Sequence, residues 1–415
     1  MALRMKKQLS APRIKNQLSA PRIKNLLSGL PVNIIAMQTL YYTVVGVFGA
    51  YLVLYYGSIG FSATQIGVIT SAATLGVLLT QPFWGWASDR AKDGRTIISI
   101  LYCFCGVFVF TYYLTEEFAF VLIIAVVFTI FYNPITPIMD SLTFETLERE
   151  KSGYNYGHMR IGGTLGYSLM VLLAGRILSG SYQHMFYICS ALLFVSLIFA
   201  RRASAVKLRA NHERVSPLAL LRNKKIFCFM FINLISAFGM MGFYSFYPLY
   251  FTENIGGSDL FGVLLFTTAM SELPFWFFAG KITRRFGYER MILIAITVVG
   301  IRWSLLYFLT DLLLLILVNL LHGFCFVTIH FCIINFINDE IPKELRATGQ
   351  SMNNLSAMVI SRIFGGAMFG ILSDKFGMNR MFLFMGALSL AGGLIFYIWV
   401  RMLDKTDAAR SDICT

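Results

Sequence analysis

The sequence predicts an all-α membrane protein of twelve spanning helices arranged as two six-helix repeats. Three observations carry this. Fifty-seven per cent of the 415 residues are hydrophobic and only 13% charged. Apolar stretches of about 20 residues, the length a helix needs to cross a bilayer, recur from end to end. Segments in the second half of the chain also answer segments in the first at a near-constant offset.

Taken in order, the apolar segments centre near residues 45, 75, 105, 130, 168, 193, 238, 270, 300, 324, 361 and 391. No short apolar core with a small-residue cleavage site precedes the first, so it is expected to remain as a helix. Ahead of it lies a basic tail, 1–30, in which QLSAPRIKN occurs twice in tandem, at 8–16 and 17–25. Pro12 and Pro21 interrupt any helix there, and the tail reads as a cytoplasmic extension. The fourth segment closes with FYNPITPIMDSLTF, where Pro134 and Pro137 should loosen the helix just before Asp140. A second basic break, the linker 204–225, separates a bundle over 31–203 from one over 226–402, and 403–415 forms a second tail.

The repeat is read from three matches. QPFWGWAS at 81–88 answers LPFWFFAG at 273–280, and LYYGSIGFSATQIGV at 54–68 answers LYFTENIGGSDLFGV at 249–263. RILSGSYQHMFYI at 176–188 answers GILSDKFGMNRMFLF at 370–384.

The net charge of +14 invites a nucleic-acid reading, but its distribution argues against one. With the N-terminus in the cytoplasm, 29 of the 35 Lys and Arg fall on the cytoplasmic side. Three lie outside (Arg176, Lys375, Arg380) and three within spans (Arg160, Arg302, Arg362). This is the asymmetry that orients spanning helices, with both termini inside; the bacterial inner membrane is the expected location. Six of the seven cysteines sit in apolar runs without metal-ligand spacing, so free buried thiols are expected. No metal site, enzymatic constellation or nucleotide-binding loop is visible; the lipid bilayer is the expected partner, with no nucleic acid, no cofactor and a monomeric chain.

Seven ionisable groups fall within spans: Asp140, Arg160, Glu272, Arg302, His322, His330 and Arg362. An intramembrane charge costs several kcal/mol unless paired or hydrated, so each is a functional candidate that needs a partner. Depth supplies partners. The fourth span runs inward past Asp140 and the fifth runs outward from Tyr156, so Asp140 and Arg160 should meet as an ion pair. In the second repeat, Glu272, Arg302 and His322 all fall toward the bilayer middle and should converge. His330 need not share the face of His322, eight residues away. Tyr167 lies two turns beyond Arg160 with Thr164 between them, a ring and a hydroxyl suited to a sugar or aryl solute. Asn133 lies one heptad before Asp140. Arg362 has no charged partner in prospect, and a contact to backbone carbonyls is expected for it. The other aromatic side chains are expected to face lipid and the membrane interfaces.

The short turn between spans two and three, GWASDRAKDGR, resembles the signature of the major facilitator superfamily, though two residues longer. Gly85, Asp89, Arg90, Gly94 and Arg95 match it and are expected to form a conformational latch, with Gly85 permitting close helix approach and Asp89 and Arg90 pairing with a neighbouring helix end. Four further stretches, PITPIMDSL, YGHMRIGGTLGY, SELPFWFF through GIRWSL, and LHGFCFVTIH, resemble the lactose permease and phenylpropionate permease proton symporters. The resemblance implies a substrate site at Asp140, Arg160 and Glu272 between the halves, and proton coupling through Glu272, Arg302, His322 and His330. Where the sugar-permease pattern carries a second carboxylate, this chain has Cys325, so the proton falls to Glu272. The function expected is proton-coupled symport of a sugar, nucleoside or aromatic acid by alternating access. An efflux antiporter on the same fold and a non-transporting solute sensor are the alternatives.

Overall fold

A computed structural model describes residues 31–150, 156–206, 223–341 and 346–414. The duplicated tail and most of the linker lie outside the described residues. Twelve long helices and no strand occur among those described.

They are α1 (Val32–Ser58), α2 (Ala63–Ser88), α3 (Gly94–Tyr113), α4 (Phe118–Arg149), α5 (Tyr156–Ile177) and α6 (His184–Arg202). After the linker come α7 (Lys224–Asn254), α8 (Ser258–Phe286), α9 (Tyr288–Phe308), α10 (Leu312–Glu340), α11 (Met352–Phe376) and α12 (Met378–Leu403). All but α5 are both long and apolar enough to cross a membrane. At 22 residues α5 is long enough, but Arg160 and its glycines make it more polar.

Local sequence explains where helices start and bend. Ser62 caps α2 by accepting from the Gln65 amide, and the Gln65 side chain accepts from the Ser62 amide in return, a reciprocal capping box. Helix α4 breaks at Asn133 and Pro134, as the two prolines predict, and resumes at Ile135. Helix α8 breaks at Ser271: Pro274 has no N–H to give the carbonyl four residues back, and a new helical run opens on Glu272. Helix α11 is wound as a π-helix from Leu355 to Gly365.

Part of the aromatic set, such as Phe120, Phe277, Phe278 and Phe364, is exposed as expected of lipid-facing rings, and part departs from that expectation. Tyr51, Tyr55, Tyr102, Tyr112, Phe128 and Phe186 are fully buried in the first bundle, and Tyr247, Tyr250, Phe229 and Phe243 in the second. They stack on one another, Tyr112 on Phe186 at 5.1 Å between ring centres and Phe229 on Phe336 at 3.5 Å. In a lipid solvent apolar burial gives little net drive, and close packing of flat rings supplies the cohesion instead. Cys103 likewise departs from the expected burial and is exposed, whereas Cys105, Cys189, Cys228, Cys325 and Cys332 are buried and free.

Beside a smaller seam of α1 with α7, two seams, α2 with α11 and α5 with α8, carry most of the contact between the bundles. Both are closed by glycines at the end opposite the chain termini. A Cβ on Gly67 would collide with the Gly366 carbonyl, and one on Gly370 would lie 2.5 Å from that of Ala63. On the other seam, a Cβ on Gly262 would meet the Val171 carbonyl at 2.8 Å and one on Gly175 would collide with the Ser258 carbonyl. Gly67 and Ala63 stand in the first repeat where Gly262 and Ser258 stand in the second, so the duplication recurs in the packing. Only backbone this bare lets helices touch main chain to main chain. One seam carries an added clasp: the Asp374 carboxylate of α11 accepts from the Ala63 amide at 3.0 Å and the Thr64 amide at 2.7 Å, capping α2 across the bundles.

Candidate functional site

Two polar clusters lie inside this frame. The first joins α4 to α5. Arg160 Nη1 stands 3.8 Å from Asp140 Oδ1, the pairing that depth predicts. Tyr156 makes the tighter link: its hydroxyl donates to Asp140 Oδ1 at 2.8 Å and accepts from Arg160 Nη1 at 3.2 Å. The guanidinium also lies over the Tyr42 ring of α1, 4.1 Å from its centre. Arg160 and Asp140 keep 40% and 27% of their side-chain surface exposed, so the pair is open to a ligand. Thr164 turns its hydroxyl back to the Arg160 carbonyl at 3.4 Å. Asn133 is exposed at the α4 break, and its side chain makes no hydrogen bond among the described residues.

The second cluster joins α7, α8, α9 and α10. Glu272 Oε1 lies 3.3 Å from His322 Nε2. On the other side of the ring, Arg302 Nη1 lies 3.2 Å from His322 Nδ1, and Arg302 Nη2 donates to Asn319 Oδ1 at 2.8 Å. Asn319 donates in turn to the Tyr247 hydroxyl at 3.3 Å. Arg302 is fully buried, with its charge over the rings of Trp303 at 4.3 Å and Phe243 at 4.9 Å. A guanidinium has no acceptor, so Nδ1 of His322 must accept; the ring proton therefore sits on Nε2 and is donated to Glu272. Glu272 keeps 26% of its side chain exposed while His322 keeps 2%. The carboxylate is thus the open end of a sealed relay.

The α8 break fixes this geometry. Ser271 Oγ accepts from the Gly323 amide at 3.0 Å, and a Cβ on Gly323 would collide with the Ser271 carbonyl. Gly323 thereby lets α10 rest directly on the α8 break, one residue from His322 on one side and from Glu272 on the other. His330 joins the same stripe through Phe326: the His322, Phe326 and His330 rings stack at 5.4 and 5.6 Å, nearly parallel, and Trp276 meets His330 edge-on. Cys325 is buried, and among the described residues Glu272 is the carboxylate of this cluster. Tyr167 of α5 lies within electrostatic reach of Glu272, and Tyr244 of α7 within reach of both and of Arg302. Tyr167 thus brings α5 of the first bundle to the second cluster.

The α2–α3 turn differs from the expected latch. A Cβ on Gly85 would meet nothing within 4 Å, so this glycine serves no close helix approach. Arg90 lies over the ring of Trp86, one turn back on its own helix, and among the described residues it makes no bond to a neighbouring helix end; the Asp89 side chain lies outside the described set. Arg95 makes the reach instead, donating to the Ala203 carbonyl at the end of α6 at 3.0 Å while pairing with Asp93 at 2.7 Å. The Gly94 amide donates to the Val206 carbonyl. Burial works against the charge of Asp93, but its bonds from the Arg95 side chain and amide prevail and hold the carboxyl below the usual carboxylate range.

Tyr156, Tyr42, Asn319 and Tyr244 are the residues sequence reasoning passed over. Tyr156 and Asn319 were open to inference, standing four residues before Arg160 and three before His322 on the same helices; Tyr42 and Tyr244 come from separate helices, and no spacing announces them.

Comparison with known proteins agrees with this architecture. A sequence profile of the MFS_1 like family, a branch of the major facilitator superfamily, matches residues 33–384. An uncharacterized transporter, YwbF of Bacillus subtilis, is 24% identical over 83% of this chain and 87% of its own length. A probable 3-phenylpropionic acid transporter of Escherichia coli is 22% identical over 80% and 89%. The crystal structure of the nucleoside transporter NupG superposes with a TM-score of 0.78 at 16% identity, covering 91% of this chain and 99% of that one. The chain is a multi-pass membrane transporter and belongs to the MFS_1 like family of the major facilitator superfamily.

Proposed function

We propose that this transporter is a proton-coupled symporter that carries a small polar organic solute between its two bundles by alternating access. Its termini lie in the cytoplasm, so the glycine-closed face is the outer one and the state described opens inward. The solute rests against Asp140, Arg160, Thr164 and Tyr167 on one side and Glu272 on the other. Glu272 takes the coupling proton, with His322 and Arg302 behind it.

The observation that carries the reading is the relay Glu272–His322–Arg302–Asn319. Its one exposed acid faces the open space, while the imidazole tautomer is set by a buried guanidinium. Protonation of Glu272 weakens its hold on the His322 Nε2 proton and so changes the α8 to α10 contact, which is how a proton can bias a two-state packing. Solute and proton together must stabilise the occluded state more than either alone. The solute class lies among sugars, nucleosides and aromatic acids.

The test is Glu272→Gln in proteoliposomes. Uptake driven by an imposed proton gradient should be lost while solute exchange at equal concentrations survives. Unimpaired proton-driven accumulation would remove Glu272 from the coupling path, and proton movement opposite to the solute would make the protein an antiporter.

A further inference from the structure

Arg362 is left over by the relay and by the Asp140 pair. It lies ten residues from one end of α11 and fourteen from the other, in the middle of the bundle. Glu272 stands at similar depth, fourteen residues from either end of α8. The helix is π-wound at this point, a feature that gathers at functional sites.

Its direction follows from its helix face. Gly366 rests on Gly67 and Gly370 on Ala63, both on α2. Arg362 continues that stripe by one more turn, and the Ser71 hydroxyl of α2 donates to its carbonyl at 3.5 Å. The side chain therefore stands at the seam between the bundles, just below the level where glycines let α2 and α11 touch. It is exposed, and among the described residues its guanidinium has no hydrogen-bond or ion-pair partner. The three helices that could supply an acid offer none at this depth. Acids on α7 and α11 occur only near the end (Glu253, Asp374), and α2 has none before Asp89, which follows it; Asp374 is engaged with the α2 amides.

The charges within the spans thus fail to cancel. Arg160 is matched by Asp140 and Arg302 by Glu272 through His322, which the tautomer keeps neutral; Arg362 leaves one positive charge over. An unpaired guanidinium in a membrane interior is costly and rare without a function. A single negative charge brought by the cargo would complete the set. A carboxylate suits it better than a phosphate monoester: the Arg fork binds carboxylate through two parallel bonds, and a phosphate ester would bring up to about two negative charges.

We propose that Arg362 is the carboxylate-recognition residue of the site and that the cargo is a monocarboxylic acid in its ionised form. This rests on the proposed solute site between the bundles and names the class of solute it takes. A monoanion entering with one proton leaves the carrier's total charge the same loaded as empty, so both forms can reorient.

The experiment is ligand-induced thermal stabilisation of the purified full-length protein. The panel is 3-phenylpropionate, benzoate and lactate, the primary amide of each, phenyl phosphate, lactose and uridine. At least one acid should stabilise the wild type while its amide does not. Arg362→Gln should weaken that acid by about tenfold or more, and Arg362→Lys by less. Unliganded Arg362→Gln should melt no lower than wild type, because it removes an unpaired charge. Four results would overturn the proposal: no acid binds, an acid and its amide bind alike, only uncharged or phosphate ligands bind, or Arg362→Gln binds within twofold of wild type. A fall of several degrees in its unliganded melting temperature would mark Arg362 as structural and sink the idea too. Binding in detergent needs no proton gradient, so loss of coupling in Glu272→Gln with acid binding intact would leave Arg362 standing while removing the symport scheme.

Discussion

A hydroxyl, not the ion pair itself, sets the distance between Asp140 and Arg160. Tyr156 lies at normal hydrogen-bond length from both, while the charges stand 3.8 Å apart. Tyr156→Phe should therefore loosen the pair without removing either charge. We expect a loss of about 1 kcal/mol in stability and a several-fold weaker solute affinity, read by thermal unfolding and ligand titration on the same preparation. Unchanged affinity with lowered stability would make the triad a clasp between α4 and α5. The same scale shows the limits of reading charges from sequence. Asp140 and Arg160 were legible because two consecutive helices running in opposite directions bring their adjoining ends together. The Tyr156 bridge and the Tyr42 ring under Arg160 are set by side-chain rotation and by α1, and neither is written in the spacing.

At the level of the helix, the α8 break and Gly323 form one device. Pro274 frees a carbonyl, the Ser271 hydroxyl donates to the Thr268 carbonyl of its own helix while accepting from α10, and Gly323 gives α10 the room to approach. Gly323→Ala places a methyl group where the Ser271 carbonyl now stands, so α10 must withdraw and carry His322 away from Glu272. Overpacking of this kind costs about 1–3 kcal/mol. The expected result is a lower melting temperature and loss of proton-driven uptake greater than loss of solute binding; normal uptake would show that the relay tolerates separation. The breaks themselves were visible beforehand in the prolines of FYNPITPIMD and SELPFW, because a missing N–H acts locally. The latch at the α2–α3 turn was legible only in part, for the opposite reason. A motif gives residue types, but whether Gly85 is approached depends on a partner helix the turn does not specify, and Arg95 took the role expected of Arg90.

Across the whole molecule, the two seams decide which face is open. They are sealed by backbone contact at one end, with Asp374 as the charged tie. Asp374→Asn keeps the shape but removes the charge that suits the positive end of α2, a contribution of about 0.3–1 kcal/mol. That is enough to shift a two-state equilibrium up to about fivefold. Spin labels at the ends of α2 and α11 on the sealed face should then show a larger fraction of long distances, and an unaltered distribution would dismiss the tie. The duplication that organises these seams was readable in the paired segments, whereas the tie was not, since the first repeat has Gly180 where Asp374 stands. The sealed face also bears on pharmacology. A face closed main chain to main chain leaves a blocker applied from that side no way in between the bundles. Such a compound must wait for the seams to part, so its inhibition should deepen with each transport cycle, and a resting carrier should escape it.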